Sequence, residues 1–407
     1  MTLLKHLPWI PLLLMVSQQS PTTAQNTIPY AIDNANWTAT DDLGRTLPLY
    51  AEVGDPKPDR IVGLFYWQWH HQLRAWTSYN ITEWMKTHPN FKDWVINPPG
   101  GPEHPEWYWG EPLFGYYQST DPWVIRKHLC LFADAGVDFL FLDYTNAAVY
   151  DPELGTLLEV ARDLKNKGIH VPRLAFFLNF QPEWKEEALY KTWFKDGKWD
   201  DLWFKWQGKP LIMGPRPTDA TKFKDATLLP EVQNYFTWRP TWAFQDAGKE
   251  PTKWRFMDKH PQRPALGPDG KVEQMVVSKS LGGPIWDNMQ TGSVSSVPGV
   301  VPSYNDQWLT EATPRGLFFE EQWKVAQKVA APILLVTGWN EWTAAVWETP
   351  GVVFLGRKTG PGQGHIVDEF DMEFNRDLEP MKGGYNDNYY WQFVANMRRY
   401  KGMQAPE

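Results

Sequence analysis

Short apolar runs recur along the chain from about residue 59 onward, each followed by a stretch with helical spacing. That alternation predicts repeated β-α units around a parallel sheet. Ile61 to Trp67 opens the series, and Val137 to Leu142, Leu174 to Leu178, Pro210 to Met213, Val232 to Thr237, Met275 to Lys279 and Ile333 to Thr337 continue it. An eighth strand falls either near Val352 to Leu355 or at His365 to Phe370. Helices are expected at Ile81 to Lys86, Pro122 to Ala135, Pro152 to Lys167, Phe318 to Ala330 and Asp387 to Tyr400. Asp121-Pro122 is a helix-start signal, an N-cap acceptor followed by a residue whose fixed φ suits the first helical position. The pattern predicts an α/β fold, a (β/α)8 TIM-type barrel with long aromatic-rich loops at its C-terminal face. A doubly wound open sheet is the alternative, but no Gly-rich phosphate loop follows the first strand.

The N-terminus follows a different pattern. Lys5 and His6 precede an apolar run from Leu7 to Val16, and the chain then turns polar and reaches Thr22-Thr23-Ala24. This is the layout of a secretory signal cut near Ala24. Pro8 and Pro11 interrupt the run, which is too short to span a bilayer; retained membrane attachment is the minor alternative. Residues 1–24 therefore read as a signal peptide, 25–58 as a polar lead-in packing over the barrel bottom, and 59–407 as the barrel. A secreted or periplasmic protein is expected, with no membrane contact after cleavage. Two Asn-x-Thr sequons, at Asn36 and Asn80, would carry glycan only in a eukaryotic secretory pathway.

Composition narrows the partners. The 407 residues carry a net charge of −8 with no basic block, so the electrostatic footprint of a nucleic-acid binder is missing. The 25 Trp, 16 Tyr and 21 Phe are the anomaly, because many are flanked by Gly, Pro, Asn, Asp or Glu rather than by aliphatics. A flat apolar face with one hydrogen-bonding tip suits ligands that are apolar on one face and hydroxylated at the rim, as sugars are. For any single ring, core packing is the competing reading. The lone cysteine, Cys130, sits in an apolar helical pattern, and neither a disulfide framework nor a Cys-based metal site follows from it.

Candidate chemistry gathers at the strand ends, where a barrel of this kind places its active site. The run Ile333 to Thr337 stops at Gly338-Trp339-Asn340-Glu341-Trp342, putting a carboxylate at the strand mouth. Asp143 ends the second strand, and Asp287 follows the sixth. Cleaving a glycosidic bond needs one carboxyl kept protonated to donate to the leaving oxygen and one ionised to activate water or attack carbon. Trp339 and Trp342 beside Glu341 would desolvate it and make it the general acid. Donors at Tyr144, Thr145 and Asn146 would keep Asp143 ionised as base or stabiliser, although an Asp there also suits a helix cap or an Arg partner.

Around this pair, Tyr66, Trp67, His70 and His71 at the first strand's end are expected to bind sugar, as are Trp109 and Tyr116 in the long excursion from Trp69 to Asp121. Asn179, Trp238, Arg239, Asp287, Trp339, Asn340 and Trp342 complete the substrate-binding rim. No cofactor is implied. His70-His71 lacks a third His or Cys at ligand spacing, so no metal is expected there. The acidic group Asp368, Glu369, Asp371 and Glu373 reads as a solvated face, with a Ca²⁺ site the alternative.

Gly338-Trp339-Asn340-Glu341-Trp342, the Asp143 strand, Asp387-Asn388-Tyr389-Tyr390-Trp391 and Arg398-Arg399-Tyr400 together resemble the (β/α)8 hydrolases of glycoside hydrolase families 71 and 99. The resemblance spans the layout from about residue 60 to 402, with the Asn-Glu-Trp element its specific part. Family 99 comprises endo-acting α-mannosidases in which a second Glu follows the first by three positions, using the substrate's own 2-hydroxyl as nucleophile. Here Ala344 stands at that place and the next Glu is Glu348, so the resemblance carries over Glu341 alone. The expected function is a secreted glycoside hydrolase acting on a polysaccharide or oligosaccharide. A catalytically silent glycan-binding barrel is the second reading. A polysaccharide lyase, resting on Arg239 and His70, is the third.

Overall fold

The computed structural model describes residues 37–70, 77–88, 105–146, 148–178, 182–214, 230–241, 250–258, 260–280, 314–343, 346–347, 353–354, 357–358, 365–366, 369, 372 and 375–405. Seven strands make the main sheet: β1 (Ile61–Tyr66), β2 (Phe139–Tyr144), β3 (Arg173–Leu178), β4 (Lys209–Met213), β5 (Thr237–Arg239), β6 (Val272–Ser278) and β7 (Ile333–Thr337). All seven pair in parallel, in the order β5-β4-β3-β2-β1-β7-β6. The last strand pairs with the first, so chain order runs around the sheet rather than across it. Two short antiparallel additions, 205–206 on β4 and 265–266 on β6, lie at the margins.

Period-2 alternation divides each strand between two cores. Ile61 and Phe65, Phe139 and Phe141, Ala175 and Phe177, Leu211 and Met213, and Ile333 and Leu335 meet on the concave side. Their neighbours Val62, Leu64, Leu140, Leu142, Phe176, Ile212, Leu334 and Val336 pack outward with the helices. Those are α1 (Pro122–Ala135), α2 (Asp151–Asn166), α3 (Leu317–Val329) and α4 (Asn388–Lys401). The start signal read in the sequence operates as expected: the Asp121 carboxylate accepts from the N–H groups of Trp123 and Val124 at 2.8 and 3.3 Å. Gly136 ends α1 in the left-handed conformation, φ 74°, which costs glycine nothing.

The edges β5 and β6 are not paired to each other. Residues 254–258 run between them and bond to both sides. Trp254 N donates to Pro240 O at 2.8 Å, and Thr241 and Trp254 form a parallel bridge. On the other side Arg255 N donates to Gln274 Oε1 at 2.8 Å, and Gln274 Nε2 donates back to Arg255 O at 2.9 Å. Arg239 at the end of β5 clamps Glu273 of β6 through two bonds of 2.6 Å. The sheet is thus a curled, parallel-rich half-barrel whose margins are tied together by side chains.

Two expectations are corrected. Val232 to Thr237 is not a strand: Pro230–Tyr235 is a short helix and β5 begins only at Thr237. Val232 and Phe236, four residues apart, both reach the outer core, so the run's helical period prevailed over its strand-like composition. Among the described residues, neither placement of the eighth strand joins the main sheet. Val353–Phe354 pairs with Arg357–Lys358, and His365–Ile366 with Val346–Trp347, each as a separate antiparallel pair. The described part of the lead-in, 37–58, lies along α4, with Arg398 donating to Pro48 O and Trp37 O, and reaches the N-terminal end of the strands where Lys57 N donates to Lys401 O at 2.7 Å. Among the described residues no helix is long and apolar enough to cross a membrane.

Candidate active site

Beyond β7 the chain continues as Gly338 to Glu341, and residues 375–379 run alongside it. Gly338 N donates to Arg376 O at 3.0 Å, Leu378 N to Gly338 O at 3.1 Å, and Glu379 N to Trp339 O at 3.0 Å. This backbone pairing delivers four charged residues to the mouth of the sheet. Arg376 donates to the Glu341 carboxylate at 2.5 Å and lies over the Phe256 ring, 6.0 Å from its centroid. Phe256 in turn stacks on Phe177 and meets Phe65 edge-on, both at 5.0 Å. The Glu341–Arg376 pair therefore caps the inner aromatic core. Glu341 is 7% exposed and Arg376 1%.

A guanidinium at hydrogen-bond distance favours the ionised form of a carboxyl. The indoles expected to desolvate Glu341 are engaged elsewhere. Trp339 packs edge-on against Phe132, His128 and Tyr390, and Trp342 stacks on Trp109 at 4.5 Å and 14°. Next to the pair is a second buried cluster. Asp377 accepts from Glu341 N at 2.5 Å and from Trp109 Nε1 at 2.6 Å, and burial pushes its carboxyl up. Glu369 is pushed up well beyond the usual carboxylate range, by burial first and then by the Asp377 charge. Lys279, just past β6, donates to Asn375 Oδ1 and Asp377 O beneath the rings of Tyr389, Tyr385 and Trp109. Burial pulls its amine down to about 7 against the opposing pull of Asp377 and Glu369.

Asp143 is the last inward position of β2, paired in register with Phe177, and its carboxylate accepts from Thr145 N at 2.9 Å. β1 alone separates β2 from β7, so Asp143 and Glu341 stand at one edge of the sheet on either side of a single strand. Asn340 is fully buried: it accepts from Trp67 N at 2.8 Å and donates to Trp67 O and the Tyr117 hydroxyl. Tyr66 faces the outer core and meets His128 Nδ1 at 3.1 Å. His70 is buried among Tyr108, Tyr117 and Trp67. Trp238 donates to Gln233 O, and Arg239 is the clamp on Glu273. Tyr116, 37% exposed and tilted against Tyr108, is the most open ring of the expected set. His71, Asn179 and Asp287 lie outside the described residues, as do Asp368, Asp371 and Glu373.

Glu369 is 2% exposed, which corrects its reading as part of a solvated face. Sequence reasoning also passed over Lys279, Arg376, Asp377 and Glu379. Glu379 joins three donors in one buried hub, from Tyr117, Trp342 and His128 at 2.7, 2.5 and 2.8 Å. The signal for it was the apolar Leu378 alternating with charges in Asn375 to Glu379, an odd composition for a loop. Among the described residues no group of His, Cys, Asp and Glu is placed to hold a metal ion. Two cavities, about 290 and 520 Å³, lie on the outer flank of α4 and are not lined by Glu341 or Asp143.

The chain was compared with known proteins. No protein-family model matches it, and no curated protein matches it. Among solved structures, two of the GH99 endo-α-mannosidase from Bacteroides thetaiotaomicron are similar, one of them in complex with bis-tris propane. They have 14% and 13% identity and TM-scores of 0.46 and 0.47, and cover 84% of this chain and 97% and 98% of theirs. A glycoside hydrolase-like protein is similar at 11% identity and TM-score 0.42, over 85% of this chain and 97% of its own.

Proposed function

We propose that this protein is a glycoside hydrolase whose site lies at the C-terminal mouth of the sheet, with Glu341 and Asp143 as the working carboxyl pair. The single observation that carries the reading is the placement of these two acids on either side of β1, above an aromatic core and at the strand ends. Two inter-strand spacings of about 4.8 Å put the parent strands roughly 10 Å apart, so the two side chains must lean toward each other across β1 to reach the carboxyl separation of about 5 to 9.5 Å that flanks one sugar bond. Arg376 makes Glu341 the ionised member, base or nucleophile, in place of the acid role its indole neighbours suggested. Proton donation then falls to Asp143 by elimination, against the Thr145 N–H that favours its anion. We extend the reading to the fold: residues 254–258 serve as the sixth stave of an eight-membered barrel, with a carbohydrate as ligand and a cleaved signal ahead of residue 25.

A second reading, a barrel that binds glycan without cutting it, is favoured by the engagement of Glu341 with a buried arginine. One experiment separates them. The mature chain is incubated with a panel of plant, algal, fungal and bacterial glycans, including α-mannans, and new reducing ends are counted. Glu341→Gln and Asp143→Asn are expected to lower kcat about 10²- to 10⁴-fold while glycan affinity is kept. Binding without new reducing ends in the wild type supports the silent barrel, and full turnover by Glu341→Gln removes that residue from the chemistry. N-terminal sequencing of the exported protein tests cleavage near Ala24.

A further inference from the structure

Three carboxyl groups, Glu341, Glu369 and Asp377, share one dry cluster with two cations, Arg376 and Lys279. With every group ionised these five side chains, the charged groups of the cluster among the described residues, would hold one negative charge in excess, and burying an uncompensated charge costs several kcal/mol. A single proton removes the excess, and the donors around each acid indicate where it sits. Asp377 already accepts the Glu341 N–H and the Trp109 indole N–H, both of which favour its anion. Arg376 NH2 is bound to Glu341 at 2.5 Å, whereas its Nε is 3.4 Å from Glu369. Glu369 accepts the backbone N–H of Arg376 at 3.0 Å, and its side chain is fully buried.

We infer that Glu369 is held as a neutral carboxylic acid, leaving the guanidinium of Arg376 to serve the charge of Glu341. Glu369 is then a positioning residue for the mouth carboxylate. It acts through Arg376 and does not touch substrate. The inference rests on the reading of Glu341 as the ionised working acid, but its physical content does not depend on turnover. The ionisable groups facing Glu369 are Asp377, Arg376, Glu341 and Lys279, and the high position of its carboxyl agrees with the assignment.

Linkage gives the test. The unfolded chain releases this proton above about pH 4.3, while the folded state keeps it, so wild-type stability must fall as pH rises through the window above that value. Glu369→Gln keeps the shape and carries no titrating proton. Melting temperatures of the two proteins are compared from about pH 4.5 to about 6, at the lower margin of the range in which Lys279 titrates. The variant is expected to gain on the wild type by a few degrees as pH rises. A gap that stays constant, or that closes with rising pH, overturns the inference. Should the variant fail to fold, isotope-edited infrared spectra of glutamate-labelled wild type give the answer. A protonated carboxyl band near neutral pH that survives Glu106→Gln, a second described glutamate whose carboxyl burial raises, and is lost in Glu369→Asp supports the inference; a band absent from the wild type, or kept in Glu369→Asp, refutes it. Neither measurement needs a substrate, so both stand if the hydrolase reading fails.

Discussion

Arg376 and Glu341 form a buried ion pair above the inner aromatic core. Removing one partner of a buried ion pair leaves the other charge uncompensated, so Arg376→Met is expected to lower stability by about 3–5 kcal/mol in chemical denaturation. Adding Glu341→Gln in the same chain should recover part of that loss, and a double variant no better than the single one would show that the pair is not coupled. Glu341 was legible in the sequence because an apolar strand ended abruptly beside it. Its partners were not, since Glu369, Arg376 and Asp377 lie about thirty residues on in a charged stretch that looks solvated until the backbone pairing of 338–341 with 375–379 is known. The tryptophans were legible as an excess but not as to purpose. Six indoles among the described residues donate to carboxylates: Trp109, Trp193, Trp206, Trp254, Trp342 and Trp391. A buried indole N–H must find an acceptor, and here many of the acids provide it.

At the scale of strands and helices, β1 shows how tightly the inner core constrains sequence. A Cβ on Gly63 would stand 2.4 Å from the Phe139 ring, which itself stacks on Phe204 at 4.0 Å. Gly63→Ala is expected to cost about 1–3 kcal/mol through overpacking, with Phe139→Leu in the same chain restoring most of it in thermal melts. A Gly63→Ala variant as stable as the wild type would show that the ring can move aside. Strands with both faces buried read as continuous apolar runs, which is why β1, β2, β3 and β7 were found where they stand. Sequence pattern is silent where backbone order rests on side chains. Residues 254–258 bond to Gln274, Thr241 and Thr337 rather than to a regular ladder, and so carry no strand-like pattern.

For the whole molecule, one carboxylate ties β5 directly to β6, beside the 254–258 segment that bonds to both. Glu273 accepts from Arg239 twice and from the indoles of Trp206 and Trp254. Burial alone would raise its carboxyl, yet these donors hold it below the usual range. A depressed folded value means stability that is present above about pH 4.3 and is lost as pH falls through the folded value. Glu273→Gln should therefore flatten the acid limb of the melting curve. It should also speed amide exchange in 237–241 and 272–278 more than in β1 to β3, and a uniform change across all strands would mean the clamp is not local.

The pairing of β1 with β7 also sets a schedule for biosynthesis. Ile61 meets Ile333 in register, and β7 takes the side of β1 that β2 leaves open. One side of the first strand must therefore stay unsatisfied while some 270 intervening residues are translated. Such a nascent chain exposes an apolar edge for most of its time on the ribosome, and its yield will depend on whatever shelters that edge until residue 337 has emerged.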